Sequence, residues 1–146
     1  MSRPRTTPNE YADIDSLLGR VAALERKLNA YPEATRYVGT PGNPSFGTGW
    51  QNIDSNYESI GFWMNHGGIV NLQGLCRRAS GTEQTIFTLP VGYRPEKINV
   101  FVSSNGQGST DVVVVTIFPS GAVYLTAGDP VSHVTFCGVS FKASGA

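Results

Sequence analysis

The hydrophobic period of this chain changes once, and no single element can carry both periods. Up to about Ala30 the apolar residues recur at three and four; from Gly47 onward they alternate. Ile14, Leu17, Val21, Leu24, Leu28 and Tyr31 define an a/d seam, with Ile14, Val21 and Leu28 at a and Leu17, Leu24 and Tyr31 at d. Leu18 falls at e and widens the stripe, while Arg20 at g and Glu25 at the next e make an opposite-charge pair between parallel neighbours. The start signal is a capping box: Thr7 as N-cap, Pro8 at the first helical position and Glu10 three residues after the cap. Pro32 disfavours helical geometry at Tyr31 and ends the helix. The expected stalk is on the order of 35 Å long.

An amphipathic helix packed on its own core is the commoner use of such a stripe. The terminal position, the charged outer faces and the Pro/Gly-rich sequence that follows favour an oligomeric stalk instead. The seam leaves the number of chains open, because Ile/Val at a with Leu at d favours two strands and Leu18 favours a wider bundle. Residues 32–47, with YPEATRYVGTPGNPSFGTG around them, read as an extended linker. The resulting division is an arm over 1–7, a helix over 8–31, a linker over 32–47 and a β domain over 48–146.

The β domain is expected to contain about eight short strands: Thr48–Ile53, Ser59–Asn65, Ile69–Arg77, Gln84–Leu89, Lys97–Ser103, Asp111–Phe118, Ala122–Thr126 and Ser132–Phe141. His66-Gly67-Gly68, Ser104-Asn105-Gly106 and Pro119-Ser120-Gly121 are the turn signals. Val112–Phe118 is so rich in β-branched and aromatic residues that burial on both faces is expected. The fold class is therefore mostly β, a β-sandwich or jelly-roll behind one helix. The 17 glycines and 9 prolines agree, since they fall between the apolar runs.

Charge excludes some partners. Lys+Arg and Asp+Glu are both 11, so no net field draws in nucleic acid or an anionic membrane. No apolar run approaches the roughly 18 residues of a membrane helix, and MSRPRTTPNE lacks the apolar core of a secretory signal. Cys76 and Cys137 are too few and too distant for a zinc site, and both read as small buried residues. Asp54, Glu58, Glu83, Glu96, Asp111 and Asp129 are scattered over turns, and His66 and His133 lack metal-ligand spacing. No catalytic residue, metal or cofactor is expected.

In Leu89-Pro90-Val91-Gly92-Tyr93-Arg94-Pro95, the stretch Pro90, Gly92, Tyr93, Arg94 and Pro95 reads as a structural corner. Tyr93 lays its ring over the core edge with its hydroxyl on a backbone partner, and Arg94 bonds the freed carbonyls. Trp50, Tyr57 and Tyr124 are the aromatic residues available for a ligand or interchain surface; Trp63 reads as buried.

Four segments together carry a resemblance: Gly68-Ile69-Val70-Asn71-Leu72-Gln73-Gly74, then Leu89–Pro95, then Ile117-Phe118-Pro119-Ser120-Gly121-Ala122-Val123, then Phe136-Cys137-Gly138-Val139-Ser140-Phe141. In this order they resemble the β head domain that ends many tailed-bacteriophage minor tail, tail-fibre and receptor-binding proteins. The match covers about half the chain, and LPVGYRP is its specific part. Phe136-Cys137-Gly138-Val139 departs from the usual Leu-x-Gly-Ile, and no Trp precedes it. The resemblance implies a homotrimer that docks through the N-terminal arm (Arg3, Arg5) and helix onto other virion proteins with its head outward; the first expectation is a small minor tail protein whose heads bind a host-surface glycan or pack on neighbours. A trimeric capsid decoration protein or head fibre is the alternative it leaves open.

Overall fold

In the computed structural model, residues 8–30, 33–105, 111–131 and 133–145 are described. The chain forms two compact units, Met1–Pro32 and Glu33–Ala146. Thr7, Tyr31, Pro32, Arg3 and Arg5, which carry the expected cap, the last d position, the helix stop and the arm, lie outside the described residues.

The first unit contains α1, Pro8–Asn29, 22 residues and so about 33 Å long. Glu10 in its first turn and Arg26 and Lys27 in its last complement the helix dipole. Ile14, Leu17, Leu18, Val21, Leu24 and Leu28 are all 49–62% exposed in the single chain.

The second unit is mostly β. Its described residues form eleven strands: β1 (Arg36–Tyr37), β2 (Trp50–Asn52), β3 (Gly61–Met64), β4 (Ile69–Gln73), β5 (Leu75–Arg78), β6 (Thr85–Thr88), β7 (Asn99–Ser104), β8 (Val112–Ile117), β9 (Ala122–Ala127), β10 (Val134–Thr135) and β11 (Ser140–Lys142). They make three antiparallel sheets with orders β1-β3-β4-β11, β10-β5-β2 and β6-β9-β8-β7.

Two of the expected strands are each broken in two, at matching places. The run Ile69–Arg77 bends at Gly74, and Ser132–Phe141 breaks at a turn over Cys137 and Gly138. The halves then pair with one another: Val134 faces Cys76 in one sheet and Phe141 faces Val70 in the other. Between them, Phe136 N–H donates to Gly74 O at 2.8 Å and Leu72 N–H to Val139 O at 2.9 Å. One bent ribbon therefore joins two sheets, and its two runs carry the same order at alternate positions, Val70, Leu72, Gly74 and Val134, Phe136, Gly138.

The third sheet meets this ribbon through aromatic side chains. Phe62 of β3 stacks on Phe87 of β6 at 6.4 Å, and Phe136 meets Phe87 and Phe101 edge-on at 6.0 and 5.5 Å. Phe62, Phe87, Phe136, Ile86, Leu89 and Val115 are buried in the same core. Edge-to-face pairs of this kind add to plain area burial.

Four expectations are corrected. Residues 33–47 are no free linker, because β1 pairs with β3, Val38 is buried, Phe46 packs on the core and Gly47 N–H donates to Ile86 O at 2.7 Å. Composition alone suggests extension, yet Pro and Gly here serve turns that fold the segment onto the sheet. The head thus begins near Glu33, not at residue 48. Val112–Phe118 is covered on both faces only in part: Val115, Thr116 and Ile117 are all buried, whereas Val112 is exposed and Val114 half-buried. Cys137 is exposed in its turn, while Cys76 is fully buried; both thiols are free, and burial pushes that of Cys76 far above its usual range.

Candidate functional site

Two places in the head gather polar and aromatic groups. The first is the corner. Tyr93 N–H donates to Pro90 O at 3.1 Å, and Gly92 supplies the φ of +97° that the bend requires. Arg94 Nε donates to Leu89 O at 2.8 Å, and the buried Pro95 makes an antiparallel bridge with Ala143.

The Tyr93 ring meets Phe62 edge-on at 5.0 Å, and the Arg36 guanidinium lies 5.3 Å from its centroid. Its hydroxyl donates to Glu33 Oε2 at 2.8 Å, a side-chain partner in place of the expected backbone one. The same carboxylate accepts the Met64 N–H through Oε1 at 3.1 Å. Met64 lies in β3 two residues beyond the partner of Arg36, where β1 offers no further backbone. The Glu33 side chain thus continues the ladder past the end of the strand. Segment 33–37 and the corner hold each other, through residues that composition assigns to a linker.

Glu33→Ala is accordingly expected to cost about 1–3 kcal/mol, the usual penalty for part-buried donors left unpaired. Glu33→Gln, which keeps one carbonyl acceptor, recovers part of the loss. The urea midpoint of unfolding reads both changes.

The second place is a groove of about 440 Å³ beside β1 and the loop that joins β2 to β3. Tyr37 and Tyr57 supply rings, and Thr40, Asn52, Asn56 and Glu58 supply polar groups. The loop is shaped by its own side chains. Asp54 Oδ1 accepts the Asn56 N–H at 2.8 Å, and Asn52 Oδ1 accepts the Ile60 N–H at 2.9 Å. Glu58 is positioned by Gln73, whose Nε2 donates to Oε1 at 2.7 Å. Thr40 Oγ1 donates to Tyr37 O at 2.6 Å and accepts from Asn43 Nδ2 at 2.9 Å. The wall is mostly neutral and polar, with two aromatic planes, and its volume suits a small ligand.

The three rings expected on a common surface are separated. Trp50 is a correction: it is only 4% exposed, and its indole N–H donates to Glu83 O at 2.8 Å. Its position in β2, paired with β5, turns the ring into the core, with Arg78 over it at 5.9 Å. Tyr57 lines the groove. Tyr124 is half-buried on β9, edge-on to Phe118 at 6.0 Å. Trp63, expected to be buried, is only half-covered.

Sequence reasoning passed over Tyr37, Asn52 and Asn56. The available signal was Asp54-Ser55-Asn56 beside Tyr57, a side-chain-stabilised turn carrying an aromatic ring; Tyr37 was hidden by its place in a stretch that reads as linker.

No protein-family model matches this chain, and neither does any curated protein. Among solved structures, the chain is similar to the receptor binding protein (gp15) of Listeria phage PSA. The TM-score is 0.61 at 14% identity, over 97% of this chain and 82% of that one, so that the two share a fold.

Proposed function

We propose that this chain is a receptor-binding component of a tailed-bacteriophage virion, carried on the tail. The likeness in fold to a phage receptor binding protein carries the reading, and it extends over 97% of this chain. The ordered LPVGYRP-type segments, which place Tyr93 and Arg94 at a structural corner, are independent support. The head is the adhesive part, and Pro8–Asn29 joins three parallel copies through the seam residues that stand exposed in one chain. The arm with Arg3 and Arg5 docks the trimer to a neighbouring virion protein. No step of this function needs catalysis.

The groove is the receptor site in this reading, and a saccharide is the ligand class that fits it. Sugars present hydroxyls to amide and carboxylate groups and C–H faces to aromatic rings, and Tyr37, Tyr57, Asn56 and Glu58 offer both. Tyr57→Ala in the full chain is expected to weaken binding on an array of bacterial surface glycans by about tenfold or more. The thermal midpoint should change little, because Tyr57 lies outside the buried core. A glycan signal that survives this change, or no signal for the native chain, removes the groove assignment. Immunogold labelling of virions tests the location separately: gold over the shell and not the tail would favour the decoration-protein alternative.

A further inference from the structure

The outward face of β7 and β8 is an unusual surface for a solvated head. Ile98, just before β7, and Val100 and Val102 within it share one parity and are 58, 61 and 62% exposed. Across the ladder Val102 faces Val114 and Ser104 faces Val112, and Val112 is itself 53% exposed. The opposite parity, Phe101 and Ser103 with Val113 and Val115, turns inward to the core. No outward position of β7 or β8 carries a charge. Natural sheets ordinarily blunt a terminal strand with Lys, Pro or inward charges, and β7 is the terminal strand of its sheet.

We infer that this valine face turns to the three-fold axis and packs there against the same face of the two other copies of the chain, forming the head's share of a three-copy interface. The inference rests on the homotrimer reading and adds the surface. Size is the first argument for a copy as occupant. Four large side chains a little over half exposed present a few hundred Å², well below the roughly 800 Å² per partner of a stable pair. Such a face is too small to capture a free partner but sufficient for one already tethered.

Charge is the second argument. The helix of the same chain carries an exposed seam, with Arg20 at g and Glu25 at the following e, a pair satisfied by an identical helix in parallel register. Association through that seam raises the local concentration of heads to the order of millimolar. A neutral face then meets its own image without like-charge contacts. Ser104 and Thr116 are the polar side chains of the face, and neither offers a charge for a charged partner to match.

The test uses the full chain with Cys137→Ser, which leaves the buried Cys76 as the remaining native thiol. A reporter thiol is introduced as Val102→Cys, or as Val112→Cys should the first fold poorly, and Val91→Cys, 78% exposed at the corner, serves as reference. At concentrations where light scattering gives three times 15.7 kDa, the thiol at 102 or 112 is expected to react with a maleimide at least ten times more slowly than that at 91. Dilution to the single-chain mass should abolish the difference. Equal rates at the three-chain mass would overturn the proposed face and leave the trimer standing. A single-chain mass at every concentration would remove both.

Discussion

Gly74→Ala is expected to destabilise the head by about 3–5 kcal/mol, a large part of the roughly 5–15 kcal/mol that holds a domain of this size together. Gly74 sits where β4 ends and β5 begins, and its φ of +97° is strained for any residue with a Cβ. That Cβ would also land on the Ser59 carbonyl and the Ile60 nitrogen, which are backbone and have no rotamer to change. Relief requires moving the β3 entry away from the bend. The same joint receives Phe136 N–H on the Gly74 carbonyl, so a shift there propagates to β10 and β11. Gly81→Ala separates the two causes. Gly81 has a similar φ of +74°, but a Cβ there would meet nothing within 4 Å. It is expected to cost about 1–2 kcal/mol from conformation alone. Urea unfolding of the two variants against the parent gives the comparison, and equal losses would show that close packing at Gly74 does not matter.

On the proposed three-copy stalk, Leu17→Glu combined with Leu24→Glu is expected to reduce the particle from three chains to one. Both leucines are d residues, 56 and 58% exposed in the single chain, with no charge in the seam between them. In a parallel stalk each substitution places three carboxylates in one layer around the axis, where neither water nor a counter-charge can serve all of them. The free helix has 22 residues and no Ala-rich composition, so it should fray once separated, with a loss of 222-nm ellipticity. Ala22→Glu, at an exposed b position, is the control and should leave mass and helicity unchanged. A three-chain mass that persists in the double variant would show that the seam does not join the copies.

Local chemistry was legible where it involved only neighbours in sequence. The turns His66-Gly67-Gly68 and Pro119-Ser120-Gly121 connect β3 to β4 and β8 to β9, with Asn65 Oδ1 accepting from Gly67 and Ile69 N–H in the first. Alternation located the strands, because burial of one face is a period-two property. The same reasoning failed at Trp50, Tyr37 and Glu33. A ring's burial depends on which strand lies opposite, and a carboxylate's partners at Met64 and Tyr93 are 31 and 60 residues away.

Taken alone, the residues of this chain determined a helix with an apolar seam, a mostly β domain behind it and the sites of its turns. These follow from side-chain periodicity and backbone preference, which act over a few residues. Tertiary structure decided that segment 33–47 belongs to the head, that two strands bend at Gly74 and Gly138 to pass between sheets, and that Tyr37 and Tyr57 come to face one groove. Each of those outcomes depends on long-range pairing and on space left by distant backbone, such as the Ser59 carbonyl against Gly74, and no local pattern encodes that.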